Sequence, residues 1–372
     1  MDASNDTLSV ESRAELALWA APGLGPKTLR ELRAHCGGAL GALLELPTRD
    51  WVPEAPVPPA LRQLLLRASS LASVAARIQE RCAEAGVGIA FQGEPAFPDR
   101  LCGLEDAPPL LFYRGAPGAP RRRIAMVGSR HPEQGFLPYA RTLARQVAEE
   151  GGCIVSGAAV GVDQACHWGA LDAGGDTWAF MGSALDQLDS AQAGFIPHLL
   201  GGGGRVFSEL PPGVRASKSS FPRRNRLISG ASDAVLVLRA GKKSGSLRTA
   251  EAAVLQGRPV LALPGDVRNP TAEGCNDWIE SGQARLCRGA DDVWKALGLK
   301  PSQVVRPEEP VQLDATSAEA KAAYRLLERV PRGFDDVLLR SELDPAALAS
   351  ALSELEMQGL IVQHPGKLYE RV

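Results

Sequence analysis

Short apolar runs alternate with stretches of helical spacing between residues 120 and 300. Six of these runs predict β-strands: IAMVGS, CIVSGAA, TWAFMGS, RVFSEL, AVLVLRA and PVLALPG. Because most are followed by an amphipathic stretch, the pattern predicts an α/β fold with a parallel, doubly wound sheet and helices on both faces. Ligands of such folds bind beyond the carboxyl ends of the strands, so the residues just after each strand are the first candidates for function.

Residues before 92 follow a helical pattern instead. Helices are predicted over Glu15–Trp19, Leu29–Arg33 and Leu61–Glu84, with a loop at the Pro-rich stretch Val52–Ala60. The segment PGLGPKTLREL places Gly-x-Gly between two of these helices, as in a helix-hairpin-helix whose glycines let backbone amides approach a phosphate. A plain tight turn explains the same residues and is the interpretation we favour.

The end of the chain has a third pattern. Residues 300–317 are rich in Pro and polar residues and predict a linker. Beyond it, three helical stretches and two apolar runs flanking His364, Pro365 and Gly366 predict a winged helix. Its third helix, AALASALSELEMQ, has no Lys or Arg, so we favour protein contacts or stabilisation over duplex binding. The predicted domains are a helical domain (1–92), a sheet domain (93–299), the linker (300–317) and the winged helix (318–372).

Composition narrows the class of protein. Of 372 residues, 45% are apolar and 23% charged, so the chain can bury a core, and its net charge of −2 gives no general attraction to polyanions. Seven cysteines, an odd number without a Cys-x-x-Cys, argue against disulfides or a zinc site and suit a reducing cytoplasm. The polar N-terminus does not resemble a signal peptide, and no apolar run reaches the roughly 20 residues of a membrane span.

Three of the predicted strands end in small residues that expose backbone amides. Gly128, Ser129 and Arg130 follow the first strand, and Ser156 and Gly157 follow the second. The segment Ser244-Gly245-Ser246 precedes a helix after the fifth. Amides at a helix start, with a cation nearby, form an anion site, and several such loops on one edge suggest a string of phosphates.

Two further features follow the second and sixth strands. Asp163 and His167 lie one helical turn apart and are expected to pair, which we interpret as a structural hydrogen bond rather than a catalytic dyad. After the sixth strand, Gly274 is expected in a turn and Asn276 in a helix cap.

The basic segment, SKSSFPRRNRLISG (Ser217–Gly230), concentrates positive charge. Ten Lys and Arg against two acids lie between Arg205 and Arg248. Cations with an interleaved aromatic, here Phe221, in a loop at the strand ends are typical of single-strand binding, because phosphates attract cations and a base stacks on the ring. Solvated arginines above a packed Phe221 would explain the composition equally well.

The order and spacing of six segments resemble the DNA-processing protein A family (DprA, also called Smf): VGSR, SGAAVGVDQACHWGAL, FSELPPG, FPRRNRLISG, SGSLRTAEAAVLQGRPVLALPG and GCNDWIESG. FPDRLCGLEDAPPLLFYRG (Phe97–Gly115) is similar to the segment that leads into the core of that family. The resemblance is close from Phe97 to about Val293 and looser in both flanks.

The resemblance implies an extended Rossmann-like, mostly parallel sheet, with an N-terminal helical (SAM or helix-hairpin-helix-like) domain and a C-terminal winged helix. It implies a cytoplasmic homodimer that binds single-stranded DNA, protects incoming DNA in natural transformation and loads the RecA recombinase onto it. No catalytic activity, cofactor or metal is expected.

The resemblance also assigns site residues. Arg130 and Lys218 belong to the family's binding pocket, and Phe221 stacks on a base. Ser156 and Gly157 fall in the same pocket. The resemblance does not say which of Arg223, Arg224 and Arg226 contact the ligand and which hold the loop. The predicted DNA-binding residues are Gly128, Ser129, Arg130, Ser156, Gly157, Lys218, Phe221, Arg224, Asn225, Arg226, Ser244, Gly245 and Ser246.

Two alternatives stand beside this interpretation. A nucleoside-monophosphate phosphoribohydrolase of the lysine-decarboxylase-like group has a related sheet, but the position of its catalytic Glu, three residues beyond Thr249, is Ala252 here. A scaffold that docks partner proteins is the second. One departure from the family pattern is Arg239, where an acid commonly ends the fifth strand.

Overall fold

The structure is a computed structural model that describes residues 8–21, 23–67, 70–116, 122–217, 219–299, 317–327, 331–341, 343–358 and 360–371. The chain divides into two compact units, Met1–Ser302 and Gln303–Val372. Within the described ranges, no helix has both the length and the apolar composition to cross a membrane.

A nine-stranded sheet organises the first unit. Its strands in chain order are β1 (Gly88–Phe91), β2 (Leu110–Arg114), β3 (Arg122–Gly128), β4 (Gly152–Ser156), β5 (Thr177–Met181), β6 (Arg205–Ser208), β7 (Ala234–Arg239), β8 (Val260–Ala262) and β9 (Arg285–Leu286). Their order across the sheet is β1-β2-β6-β5-β4-β3-β7-β8-β9. The run from β6 to β9 is parallel, and β1 and β2 add an antiparallel edge.

The predicted fold class is confirmed, and the six predicted strands are β3 to β8. The apolar pattern did not single out β1, β2 or β9. The last of these has only two residues, both exposed, and therefore has no apolar run to detect. The first strand of the sheet begins at Gly88, a few residues before the predicted domain boundary.

Helices cover both faces of this sheet: α6 (Phe136–Glu149), α7 (Val162–Asp172), α8 (Ser190–Gly201), α9 (Ser220–Gly230), α10 (Gly245–Leu255), α11 (Glu273–Glu280) and α12 (Ala290–Ala296). Alternate residues of β3 face opposite cores. Ile124 belongs to the core formed with α6, α7 and α12, and Ala125 to the core formed with α9, α10 and α11. A strand buried on both sides must be apolar throughout, which explains its sequence.

Before β1 the chain is helical, with α1 (Val10–Trp19), α2 (Pro26–His35), α3 (Thr48–Trp51), α4 (Pro59–Leu66) and α5 (Leu71–Ala85). The single helix predicted over Leu61–Glu84 is wrong: Ser70 starts a separate helix by accepting a hydrogen bond from the amide of Ser73. These helices share a core with one face of the sheet, and the Trp19 indole donates to the Glu209 carbonyl at 3.2 Å.

The second unit has its own small core. It contains α13 (Ala318–Leu326), β10 (Arg332–Gly333), α14 (Phe334–Arg340), α15 (Pro345–Met357), β11 (Ile361–His364) and β12 (Leu368–Arg371). Its sheet has the order β10-β12-β11, and Gly366 and Lys367 turn the hairpin with positive φ angles. Three helices and this small sheet are the predicted winged helix.

Candidate nucleic-acid interface

The sheet has a topological switch between β3 and β7. The chain after β3 continues through α6 to β4 on one side, whereas the chain after β7 continues through α10 to β8 on the other. A crevice is expected where the connections diverge, beyond the carboxyl ends of these two strands. A cavity of about 340 Å³ lies there, which we call the switch-point cavity; its polar and aromatic lining comprises Ser129, Arg130, His131, Asp163, Phe221, Asn225, Ser244, Ser246 and Thr249, with the backbone of Gly128 and Gly245.

The loop after β3 forms one wall of this cavity. The amide of Ser129 donates to the Arg239 carbonyl at 2.8 Å, which ties the loop to the end of β7. The Ser129 hydroxyl accepts from the amide of His131 at 3.1 Å. Arg130 is exposed, so its guanidinium is available to an anion in the cavity.

The start of α10 forms the opposite wall. Ser244 is its N-cap, and the side-chain oxygen accepts from the amide of Ser246 at 3.4 Å. Asn225 reaches across from α9 and donates to the Gly245 carbonyl at 3.2 Å. A helix N-terminus has partial positive charge and favours anions, so this wall complements Arg130.

Phe221 lies in the first turn of α9, so the loop predicted for the basic segment is wrong beyond Ser219. The helix starts at Ser220, whose hydroxyl donates to the Ser217 carbonyl at 2.9 Å. Pro222 is tolerated because the first turn of a helix needs no amide donors. The pattern of Pro and cations concealed this helix start.

Two neighbours position the ring of Phe221. The Arg130 guanidinium lies 5.6 Å from its centroid. The second neighbour is Gly182, just beyond β5, where an added Cβ would lie 2.9 Å from Cδ1 of the ring. The ring is half-buried, so it packs against backbone and still lines the cavity.

Arg224 is an internal anchor of α9. Its side chain is 7% exposed, and Nη1 donates to the Gly157 carbonyl at 2.8 Å and to the Phe180 carbonyl. Burial lowers the pKa of Arg224 to about 10, and the nearby Asp163 opposes that shift. Asp163 in turn accepts from the amides of Gly128 and Gly157. The two bonds from Arg224 fix α9 above the ends of β4 and β5.

Ser156 and Gly157 have partners inside the protein and do not line the cavity. The Ser156 hydroxyl is fully buried and donates to the Met126 carbonyl at 2.6 Å. A Cβ at Gly157 would lie 2.5 Å from Nη1 of Arg224, so only glycine leaves room for the guanidinium. Both predicted residues therefore lie beneath the site.

Arg226 also has internal partners. It forms a salt bridge with Glu209, and it bonds the carbonyl of Asp106 at 2.7 Å and the carboxylate of the same residue at 3.3 Å. Burial raises the pKa of Glu209, and Arg226 opposes the rise. The guanidinium thus fastens α9 to the segment before β2.

Most of the cations counted between Arg205 and Arg248 have partners within the protein. Arg205 is buried over Trp178, and Arg224, Arg226 and Arg239 have internal partners. Lys242 and Arg248 pair with acids at the surface. Within the described residues, the exposed cations of this stretch without a salt bridge are Arg215, Arg223 and Lys243. Lys218 lies outside the described residues.

Two other expectations are wrong. His167 does not pair with Asp163: its Nδ1 lies 2.6 Å from the Thr177 hydroxyl, which donates to the Ile154 carbonyl and so accepts from the ring. Burial lowers the pKa of His167 to about 3, so the ring is neutral. Gly274 and Asn276 lie inside α11, and the Asn276 side chain bonds the backbone of Gly265 instead of capping a helix.

Sequence reasoning did not foresee the role of Arg239. Its Nε donates to the Glu133 carboxylate at 2.7 Å, and its guanidinium lies 4.0 Å from the Phe136 ring centroid. Glu133 also accepts from the Thr271 hydroxyl at 2.8 Å. These contacts brace the loop after β3 from behind, which explains a cation at the end of β7.

Comparison with known proteins places these features in a family. The sequence model described as "DNA recombination-mediator protein A" matches residues 88–298, and the one described as "DprA winged helix domain" matches residues 307–367. Protein Smf of Escherichia coli K12 is 39% identical over 278 residues, covering 73% of this chain and 74% of that protein. The putative DNA processing protein DprA of Mycobacterium tuberculosis H37Rv is 33% identical over 285 residues, covering 75% and 72%.

Solved structures agree. The X-ray structure of DprA from Streptococcus pneumoniae superposes with a TM-score of 0.63 at 28% identity, covering 77% of this chain and 97% of that one. DNA processing protein A from Helicobacter pylori, whose structure is described as revealing a unique single-stranded DNA binding mode, has a TM-score of 0.50 at 28% identity, covering 56% and 95%. The chain therefore belongs to the DNA recombination-mediator protein A (DprA/Smf) family.

Proposed function

We propose that this protein binds single-stranded DNA at the switch-point cavity. The observation that carries the proposal is the convergence of the exposed Arg130, the start of α10 and the ring of Phe221 on one cavity. A cation and helix amides attract phosphate, and an aromatic ring offers a face to any base. The relative from Helicobacter pylori is described as binding single-stranded DNA.

The proposed contacts form a smaller set than the predicted one. Arg130 and the amide of Gly245 face phosphate, and Phe221 faces a base. Ser156, Gly157, Arg224 and Arg226 support these residues from below, because their polar atoms already have partners inside the protein. Lys218 keeps its predicted role as a phosphate ligand.

The biological role proposed here is that of a recombination mediator in the cytoplasm. The family description, DNA recombination-mediator protein A, supports a role in recombination. We propose further that the protein protects incoming single strands and passes them to the RecA recombinase as a homodimer. Binding rather than catalysis is proposed as its activity, since Ala252 occupies the position of the carboxylate of the phosphoribohydrolases.

Fluorescence anisotropy with labelled oligo(dT) tests the site. Phe221→Ala should weaken binding by about 1–3 kcal/mol, the contribution of one stacked base. Arg130→Ala should also make the slope of log K against log salt shallower by about 0.7, the value for one phosphate contact on a single strand.

Arg122→Ala is the matched control. Arg122 is an exposed arginine at the start of β3, whereas Arg130 follows the end of the same strand. The two arginines therefore lie at opposite ends of β3. The control should bind like the unmodified protein. Equal affinity and equal salt slope in all three variants would overturn the assignment of the cavity.

A further inference from the structure

A second cavity, of about 180 Å³, lies between the turn that joins α1 and α2 and the ends of β5 and β6. We call it the hairpin cavity. Trp19 and Leu24 line it from the helical side, and Met181, Pro211 and Val214 line it from the sheet side. Arg224, which holds α9 from below, also lines it, and none of its described lining residues is among the proposed DNA contacts Arg130, Gly245 and Phe221.

The hairpin cavity adjoins the switch-point cavity through α9. Gly182 lines the hairpin cavity and contacts the ring of Phe221, which lines the switch-point cavity. Ser220 and Arg223, which flank Phe221 in α9, also line the hairpin cavity. The two cavities are therefore neighbours that meet at Gly182 and Phe221.

The chemistry of the walls suits a base rather than a phosphate. Trp19, Leu24 and Met181 are buried apolar side chains, and the Trp19 indole is held in place by its bond to the Glu209 carbonyl. The Glu209 carboxylate already pairs with Arg226. The space is smaller than the roughly 300–1,000 Å³ of pockets for drug-sized ligands, which favours a single planar group.

Arg223 supplies the charge that a neighbouring phosphate needs. It is exposed, and within the described part of the chain it forms no salt bridge. A cation beside an apolar pocket, next to an aromatic platform, repeats the arrangement of Arg130 and Phe221.

We infer that the hairpin cavity is a second nucleotide subsite, which takes the base adjacent to the one at Phe221 while Arg223 contacts the phosphate between them. The inference rests on the proposed function, and it gives the N-terminal helical region a part in holding the strand.

Photo-crosslinking of the full-length protein to oligothymidylate substituted with 5-iodouracil tests this subsite directly. Peptide mapping should find crosslinks both at the peptide containing Phe221 and at the peptide containing Trp19 and Leu24. The wild-type chain is used, so the result does not depend on a variant that folds.

A cavity-filling variant gives the second measurement. Val214→Trp should occupy the hairpin cavity and weaken binding of a long oligothymidylate about fivefold or more, the loss expected for one base. Val254→Trp is the matched control, because Val254 is 50% exposed on α10 and does not line either cavity. Thermal melts of both variants should match that of the wild-type protein.

The outcomes separate the two proposals. Crosslinks at Phe221 alone, together with equal affinities for the two tryptophan variants, would overturn the subsite and leave the proposed function intact. If Phe221→Ala left the affinity for oligothymidylate unchanged and no crosslink formed near α9, both the subsite and the proposed function would be overturned.

Discussion

Arg223 and Arg224 are neighbours in the sequence and lie on different faces of α9. Arg223 is exposed beside the hairpin cavity, whereas Arg224 is 7% exposed and bonds the carbonyls at the ends of β4 and β5. Helical geometry separates them, because consecutive residues project about 100° apart around a helix of 3.6 residues per turn. One face of α9 therefore offers charge to a ligand, and the other uses charge to hold the helix in place.

This difference shows what a charge count means in a folded chain. The positive stretch around α9 has only two acids of its own, and Arg226 pairs with one of them, Glu209. Arg224 and Arg239 find Asp163 and Glu133 in other parts of the fold. Only the cations left over can bind a polyanion. The binding surface is thus set by pairing in three dimensions.

The largest expected effect is on the internal face. Arg224→Ala leaves the buried Asp163 without its opposing charge and removes two bonds that anchor α9. Hydrogen bonds to a charged group typically contribute about 1.5–3 kcal/mol each, so the loss of both should cost about 3–6 kcal/mol. Urea unfolding should show that loss, whereas Arg223→Ala, an exposed neighbour, should stay within about 0.5 kcal/mol. Equal stability of the two variants would refute the division of α9 into two faces.

An intermediate effect on DNA affinity is expected from a change behind the ring of Phe221. Gly182→Ala adds a methyl 2.9 Å from the ring and must displace it. Affinity for oligo(dT) should fall by a part of the roughly 1–3 kcal/mol that a stacked base contributes. Gly194→Ala is the control, because nothing lies within 4 Å of a Cβ at that position.

A double-mutant cycle shows whether Gly182 acts through the ring. In a Phe221→Ala background, Gly182→Ala should have no further effect on affinity, since there is no ring left to displace. Additive losses in the double variant would mean that Gly182 affects binding by another route.

The sequence could predict the cavity because parallel strands bring their carboxyl ends to one edge, and small residues mark the loops after β3 and β7. It could also predict β3 to β8, whose residues are apolar on both faces. Local patterns could not reveal the partners of Arg226, because Asp106 lies 120 residues away. The helical start of α9 was also hidden from local patterns, because Pro222 and the cations around it do not favour a helix. The start is stabilised by bonds from Arg224 to the ends of distant strands.

The smallest effect separates exposed arginines with and without a partner. Arg223 should contact a phosphate, so Arg223→Ala should make the salt slope of oligo(dT) binding shallower by about 0.7. Arg248 is 69% exposed but pairs with Glu251 at 3.1 Å, a surface bridge worth at most about 1 kcal/mol. Arg248→Ala should therefore leave the slope unchanged. If removal of Arg248 flattened the slope as much as removal of Arg223, exposure alone would decide which cations bind DNA, and pairing with acids would not matter.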